Sequence, residues 1–193
     1  MLQAPEYNLD TELFLDLNGS WGPGWDNFFF AVSGKLIWFP LYLLILFIIY
    51  RRYGWKTMLA SLVFIGLSVV VVDHVCNLFK DGLEKFRPTY TPGLEGLVHT
   101  VNGYRGAPYG TVSAHAATTA CIAVFSALVI RKNIYSLLIP LWVLLVSYSR
   151  IYLGVHFPAD ILFGLIAGTL TAVGAYALFR WRKIRRIYQP TSA

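Results

Sequence analysis

The residues best suited to chemistry sit where two long apolar runs meet. In the stretch SRIYLGVHFPAD, residues 149–160, Ser149, Arg150, His156 and Asp160 interrupt otherwise hydrophobic sequence. Ionisable groups at the rim of an apolar bundle are costly to keep and usually mark function. His156 and Asp160 are four apart at the start of a predicted helix, and Pro158 fits its first turn. A carboxylate one turn away can hold one imidazole nitrogen protonated and leave the other free to attack. An isolated pair of this kind serves equally as a structural contact.

Two further groups point the same way. Lys80 and Arg87 are seven apart, so on a continuing helix they share a face, about 10 Å apart along the axis, with Pro88 ending that helix. With Arg150 they form a nest of three cations suited to a phosphate dianion, because guanidinium offers a bidentate fork and ammonium a point charge. Lys85 and Arg105, taken singly, read instead as interfacial anchors. Ser113-Ala114-His115 opens another apolar run, where free backbone N–H groups favour an anion and Ser113 also suits a helix cap. Two histidines in one anion pocket divide naturally into nucleophile and general acid.

These residues need a scaffold, and composition indicates which. Hydrophobic residues make up 56% of the 193 and charged residues 13%, with a mean hydropathy of +0.56. A soluble domain carries about 25% charged residues, so a membrane protein fits better. The net charge of +6 is gathered in short clusters beside apolar runs. That pattern is membrane topology rather than a nucleic-acid footprint. Cys76 and Cys121 lie inside apolar segments as small core residues. No cysteine–histidine spacing suggests zinc, and no basic-then-apolar signal peptide opens the chain.

The predicted fold is all-α: a single polytopic transmembrane helical bundle over 1–193. Five segments approach the length of about 20 apolar residues that a span needs: 34–50, 57–79, 113–130, 134–151 and 157–179. Residues 1–33 form an N-terminal interfacial segment or a poor sixth span, since Asp16, Asn18, Asp26 and the Gly-Pro-Gly of 22–24 interrupt them. The 80–112 segment is the single long connection, and long loops in compact domains are often functional. Arg51, Arg52 and Lys56, then Arg131 and Lys132, then the basic tail of 180–193 fall on one side of a five-span bundle. The positive-inside rule makes that side cytoplasmic, so Lys80, Arg87, Ser113, His115, Arg150, His156 and Asp160 collect on the opposite, outward face.

Lys80-x6-Arg87-Pro88, Ser113-x-His115 and Ser149-Arg150-x5-His156-x3-Asp160 resemble the three signature motifs of the type-2 phosphatidic acid phosphatase family. Vanadium haloperoxidases and bacterial acid phosphatases share those motifs. The resemblance runs from about residue 80 to 160, in the family's order. It implies metal-free and cofactor-free hydrolysis of a phosphomonoester or diphosphate through a phosphohistidine. In that scheme His156 is the nucleophile, Asp160 its orienting partner and His115 the acid that protonates the leaving oxygen. Lys80, Arg87, Ser113 and Arg150 would bind the phosphoryl oxygens. The second motif departs from the family's Pro-Ser-Gly-His: Val112-Ser113-Ala114-His115 stands here, and alanine suits the loop only if φ is negative at 114.

The partner so implied is a membrane lipid with a phosphate headgroup: undecaprenyl diphosphate, phosphatidylglycerol phosphate, phosphatidic acid or a lipid A phosphate. The membrane would be a bacterial inner membrane. A non-catalytic lipid-binding or transport protein is the rival reading, against which the chain shows no internal repeat. A vanadate-dependent oxidative relative is another, and those relatives are soluble.

Overall fold

The computed structural model describes residues 8–188, with side chains as far as residue 181. Helices α1 (Leu9–Leu17) and α2 (Pro23–Val32) precede four long ones: α3 (Phe39–Leu83), α4 (Ala114–Ile130), α5 (Asn133–Tyr152) and α6 (Pro158–Tyr188). Short 3₁₀ turns occupy Leu36–Trp38 and Pro88–Tyr90, and the described residues contain no strand beyond one isolated bridge. The all-α expectation therefore holds. The cations at 182–186 in the expected basic tail lie outside the described side chains.

Three helical stretches, Leu36–Leu83, Asn133–Tyr152 and Pro158–Trp181, are long and apolar enough to cross a membrane. The first contains two of the spans expected from sequence. At 45 residues α3 would run nearly 70 Å if straight, more than twice a bilayer core. It does not run straight. Gly54, at φ 78 and ψ 171, interrupts it, in a region of the backbone map that is essentially reserved for glycine. The contacts show a reversal there. Ser33, before α3, bonds Arg150 near the end of α5, whereas the Tyr53 hydroxyl reaches the carbonyl of Ile130 at the far end of α4, at 3.3 Å. Lys85, just beyond α3, is back beside Asp160.

Helix α4 is the hub, packing on α3, α5 and α6. Its apolar residues run all the way round, and most are buried, the pattern of a helix surrounded by others. The closest approach is to α6. A Cβ built on Gly164 would stand 2.6 Å from the Ser113 carbonyl oxygen, and one on Gly168 only 2.1 Å from that of Ala117. This small-xxx-small pairing of Gly164 and Gly168 with Ala116 and Ala117 lets two backbones touch, as membrane helices often do. It also sets the distance between Ser113, which caps α4, and the first turn of α6.

Helices α1 and α2 have 9 and 10 residues, each too short to cross a bilayer by itself. Both pack at the end of the bundle where α6 begins. Asn18 fastens them there. Its amide donates to the carbonyls of Ile151 (2.9 Å) and Tyr152 (3.0 Å), and its oxygen accepts from the His99 N–H (2.7 Å).

The close pairing yields a test. Gly168→Ala must push α6 from α4 and should destabilise the protein by about 1–3 kcal/mol, with loss of activity. Gly174→Ala, on the same helix with nothing within 4 Å, should be neutral or slightly stabilising. Thermal unfolding in detergent compares the two, and equal shifts would contradict the close-packing account.

Candidate active site

The site forms where the starts of α4 and α6, the end of α5 and the 84–112 connection meet. His156 lies in the short α5–α6 turn and is 3% exposed. Its Nδ1 is 3.4 Å from Asp160 Oδ2. Its Nε2 is 3.4 Å from Arg87 Nη1. Asp160 Oδ2 also accepts the Phe157 N–H at 3.0 Å, so the carboxylate fixes the backbone that carries the histidine as well as the ring. The Asp160 carbonyl accepts the Ser113 N–H at 3.0 Å, tying the starts of α4 and α6 together. Ser113 caps α4 with its side chain, and Ala114 is not among the residues with positive φ. Alanine is therefore accommodated where the family's motif has glycine.

The connection after α3 differs from the expected continuous helix. Glu84 adopts a left-handed conformation (φ 43) and ends α3 at Leu83. Pro88 then holds Arg87 extended, at φ −69 and ψ 158. Lys80 and Arg87 consequently share no helix face. The Arg87 guanidinium is instead wrapped by its own loop. Nε donates to the Tyr109 carbonyl (3.0 Å) and Nη1 to that of Val155 (3.1 Å). A Cβ at Gly110 would strike the Arg87 side chain at 2.8 Å, so glycine is what lets the loop close on it.

Arg150 is 3% exposed. It donates through Nη1 to Ser33 Oγ and through Nη2 to the Tyr104 hydroxyl (3.3 Å). Its Nε is a buried donor with no partner among the described residues, a costly state that an arriving oxygen acceptor relieves. His115, on the first turn of α4, lies within electrostatic reach of His156, Arg150, Arg87 and Lys35.

Six of the seven residues singled out from sequence thus come together: His115, Ser113, Arg87, Arg150, His156 and Asp160. Lys80 does not join them. It is partly buried on the last turns of α3, without an ion pair or hydrogen bond among the described residues. The ammonium that reaches the cluster is that of Lys85, at 2.9 Å from Asp160 Oδ1 and 3.3 Å from Asp10 of α1. It also lies 4.7 Å from the centre of the Phe157 ring. Asp10 in turn accepts the Ala159 N–H at 2.8 Å, so the N-terminal helix caps α6. Sequence reading assigned Lys85 to anchoring. The missed signal is Asp10 itself, one of three acids on a short helix that carries no Lys or Arg. Arg105 bonds the Thr89 carbonyl and lies 4.6 Å from the centre of the Tyr90 ring, within its own loop. Asp73 pairs with Asn77 (3.3 Å), and His74 bonds its own helix at Val70.

The electrostatics favour a neutral His156 ring. Burial, reinforced by Arg87, Arg150 and Lys85, holds the His156 imidazole well below its ordinary value of 6.5. A depressed histidine keeps its neutral form as pH falls through that value. Histidine-labelled protein should therefore show neutral ring signals for His156 at pH 6, assigned through His156→Gln. A titration midpoint at or above 6.5 would contradict the burial argument. Lys85→Met leaves Asp160 buried without its cation and His156 loosely held. We expect kcat to fall on the order of 10²-fold with KM little changed, and Lys85→Arg to recover most of it. Equal losses in both variants would remove Lys85 from the account.

The PAP2 superfamily model matches residues 58–184. Two relatives are each named lipid A 4′-phosphatase. The one from Bacteroides thetaiotaomicron is 40% identical over 83% of this chain and 72% of its own length. The other, from Porphyromonas gingivalis, is 36% identical over 93% and 78%. Among solved structures, the PAP2-type phosphatidylglycerolphosphate phosphatase of Bacillus subtilis superposes with a TM-score of 0.64 at 20% identity, covering 89% of this chain and 85% of its own. Aquifex aeolicus LpxE gives 0.64 at 24% identity, covering 89% and 97%. At those identities the two structures speak for the fold alone.

Proposed function

Because this chain belongs to the PAP2 superfamily and is a membrane lipid phosphatase, we propose that it removes the 4′-phosphate of lipid A through a phosphohistidine on His156. One observation carries the mechanism: the buried His156 ring is held at Nδ1 by Asp160 while Nε2 stands beside the Arg87 guanidinium. A phosphoryl group bound by Arg87 therefore presents phosphorus to the free nitrogen. The substrate follows from the two relatives that carry that activity in their names.

Arg87, Arg150 and the Ser113 hydroxyl would hold the non-bridging oxygens, with the unpaired Arg150 Nε aimed at one of them. Lys80, whose ammonium has no partner among the described residues, is free to join them when substrate arrives. His156 Nε2 attacks phosphorus, and the bond to the sugar oxygen breaks with its electron pair passing to that oxygen. His115 supplies the proton, and the phosphate dianion offsets the cations that otherwise surround that ring. Water then attacks phosphorus, His115 takes its proton, and inorganic phosphate leaves with His156 restored. Preorganised cations of this kind replace the charge stabilisation that many phosphoryl-transfer enzymes obtain from Mg²⁺.

We place the site on the periplasmic or exterior face of a bacterial inner membrane, with the C-terminus cytoplasmic. Support comes from charge. The clusters at 51–56, 131–132 and 180–186 all lie at or beyond the helix ends remote from His156.

Purified protein given bisphosphorylated lipid A should yield a product whose fragmentation shows loss at the 4′ position, with excess EDTA tolerated and vanadate inhibitory. Loss at the 1 position, or turnover of phosphatidic acid alone, would contradict the substrate assignment. The two histidines should separate by leaving group. His156→Ala should be inactive on every substrate. His115→Ala should lose about 10²–10⁴-fold on lipid A, whose sugar alkoxide needs a proton, and distinctly less on p-nitrophenyl phosphate. The comparison is made in kcat/KM, and a uniform loss across substrates in both variants would undo the division of roles.

A further inference from the structure

The end of the bundle remote from His156 holds a second lipid-sized feature. A groove of about 810 Å³ opens between the first leg of α3 and α5. Leu44, Ile48, Leu138 and Trp142 are among its apolar walls, and Arg51, Arg52 and Lys132 stand at one end. From Leu41 to Arg51 the wall runs ten residues, about 15 Å of helix. An apolar slot that long, closed at one end by cations, has the shape and charge order of one acyl chain with its headgroup.

Among the described residues these cations have no ion-pair partner. No Asp or Glu occurs anywhere in 27–72 or 96–159, the two segments from which the groove is built, and no acid lines it. All three cations are exposed. Among the described residues Arg52 donates through Nε alone, to the Tyr53 hydroxyl at 2.9 Å, which leaves the outer edge of its fork for an anion. Guanidinium suits a phosphodiester because two parallel N–H groups meet two oxygens. A zwitterionic headgroup would bring an ammonium into this uncompensated positive field.

We propose that this groove is a binding site for an anionic phospholipid, its chain along α3 and α5 and its phosphate at Arg51, Arg52 and Lys132. The site is separate from the catalytic pocket. It lies at the opposite helix ends, on legs that meet at Tyr53 and Ile130. A lipid there would fill the gap between α3 and α5 and brace the bundle that carries the active site.

Native mass spectrometry of detergent-purified protein, titrated with phosphatidylglycerol or phosphatidylcholine, tests this directly. Wild type should retain one phosphatidylglycerol and little phosphatidylcholine. Arg51→Gln/Arg52→Gln/Lys132→Gln should weaken phosphatidylglycerol binding about a hundredfold, each interfacial cation contributing a factor of about five. Leu44→Trp keeps every cation but fills the slot, and should weaken binding as well. Both variants should retain turnover of p-nitrophenyl phosphate, which certifies their fold, because none of these residues belongs to the catalytic site. Equal retention of the two lipids by wild type would mean only annular lipid and overturn the proposal. Retention unchanged by either active variant would overturn it too.

Discussion

One buried carboxylate holds the active site together. Asp160 is fully buried, and it meets three other stretches of chain. Its oxygens take the Lys85 ammonium, the His156 ring and the Phe157 N–H, while its carbonyl takes the Ser113 N–H. A buried carboxylate is stable only when its oxygens are bonded and its charge is met. Placing it there therefore dictates where Lys85, the α5–α6 turn and the start of α4 must lie. The histidine it orients is kept neutral by the same burial and by the same neighbouring cations. Chemistry and architecture thus meet in one residue.

The fold around it serves this convergence. Glycines at 164 and 168 bring α6 against α4 closely enough for the Asp160–Ser113 bond, and Gly54 turns α3 back so that Lys85 returns to the site end. The N-terminal helices close the same end through Asp10 and Asn18. That closure lies outside the stretch matched by the superfamily model. The core motif thus receives part of its support from sequence N-terminal to that stretch.

Much of the site was legible because its motifs are local. His156 and Asp160 lie one helical turn apart, and Ser113 with His115 opens a helix; such spacings survive whatever the tertiary arrangement. The relation of Lys80 to Arg87 was not legible, because it rested on a helix continuing through Glu84. That residue's left-handed turn carries no glycine of its own, although Gly82 lies two residues before it. Lys85 was passed over for the same reason, since only the early end of α3 swings it toward Asp160. Hydropathy located the expected spans at 34–50 and 57–79 as the two legs of α3, but it could not show that they form one interrupted helix. The breaks that keep α1 and α2 short were legible in the Asn18 and Gly-Pro-Gly stretch. The bonds of these helices to the catalytic turn were not, because Asn18 meets partners 81 to 134 residues away.

The central claim is that His156 carries the phosphoryl group. Rapid acid-free quenching of the protein with ³²P-labelled lipid substrate, followed by proteolysis and mass spectrometry, tests it most directly. The account predicts a label that is acid-labile and base-stable on the peptide containing His156, appearing and decaying at rates consistent with turnover. Label found on no residue while phosphate is released, or found on His115, would contradict it.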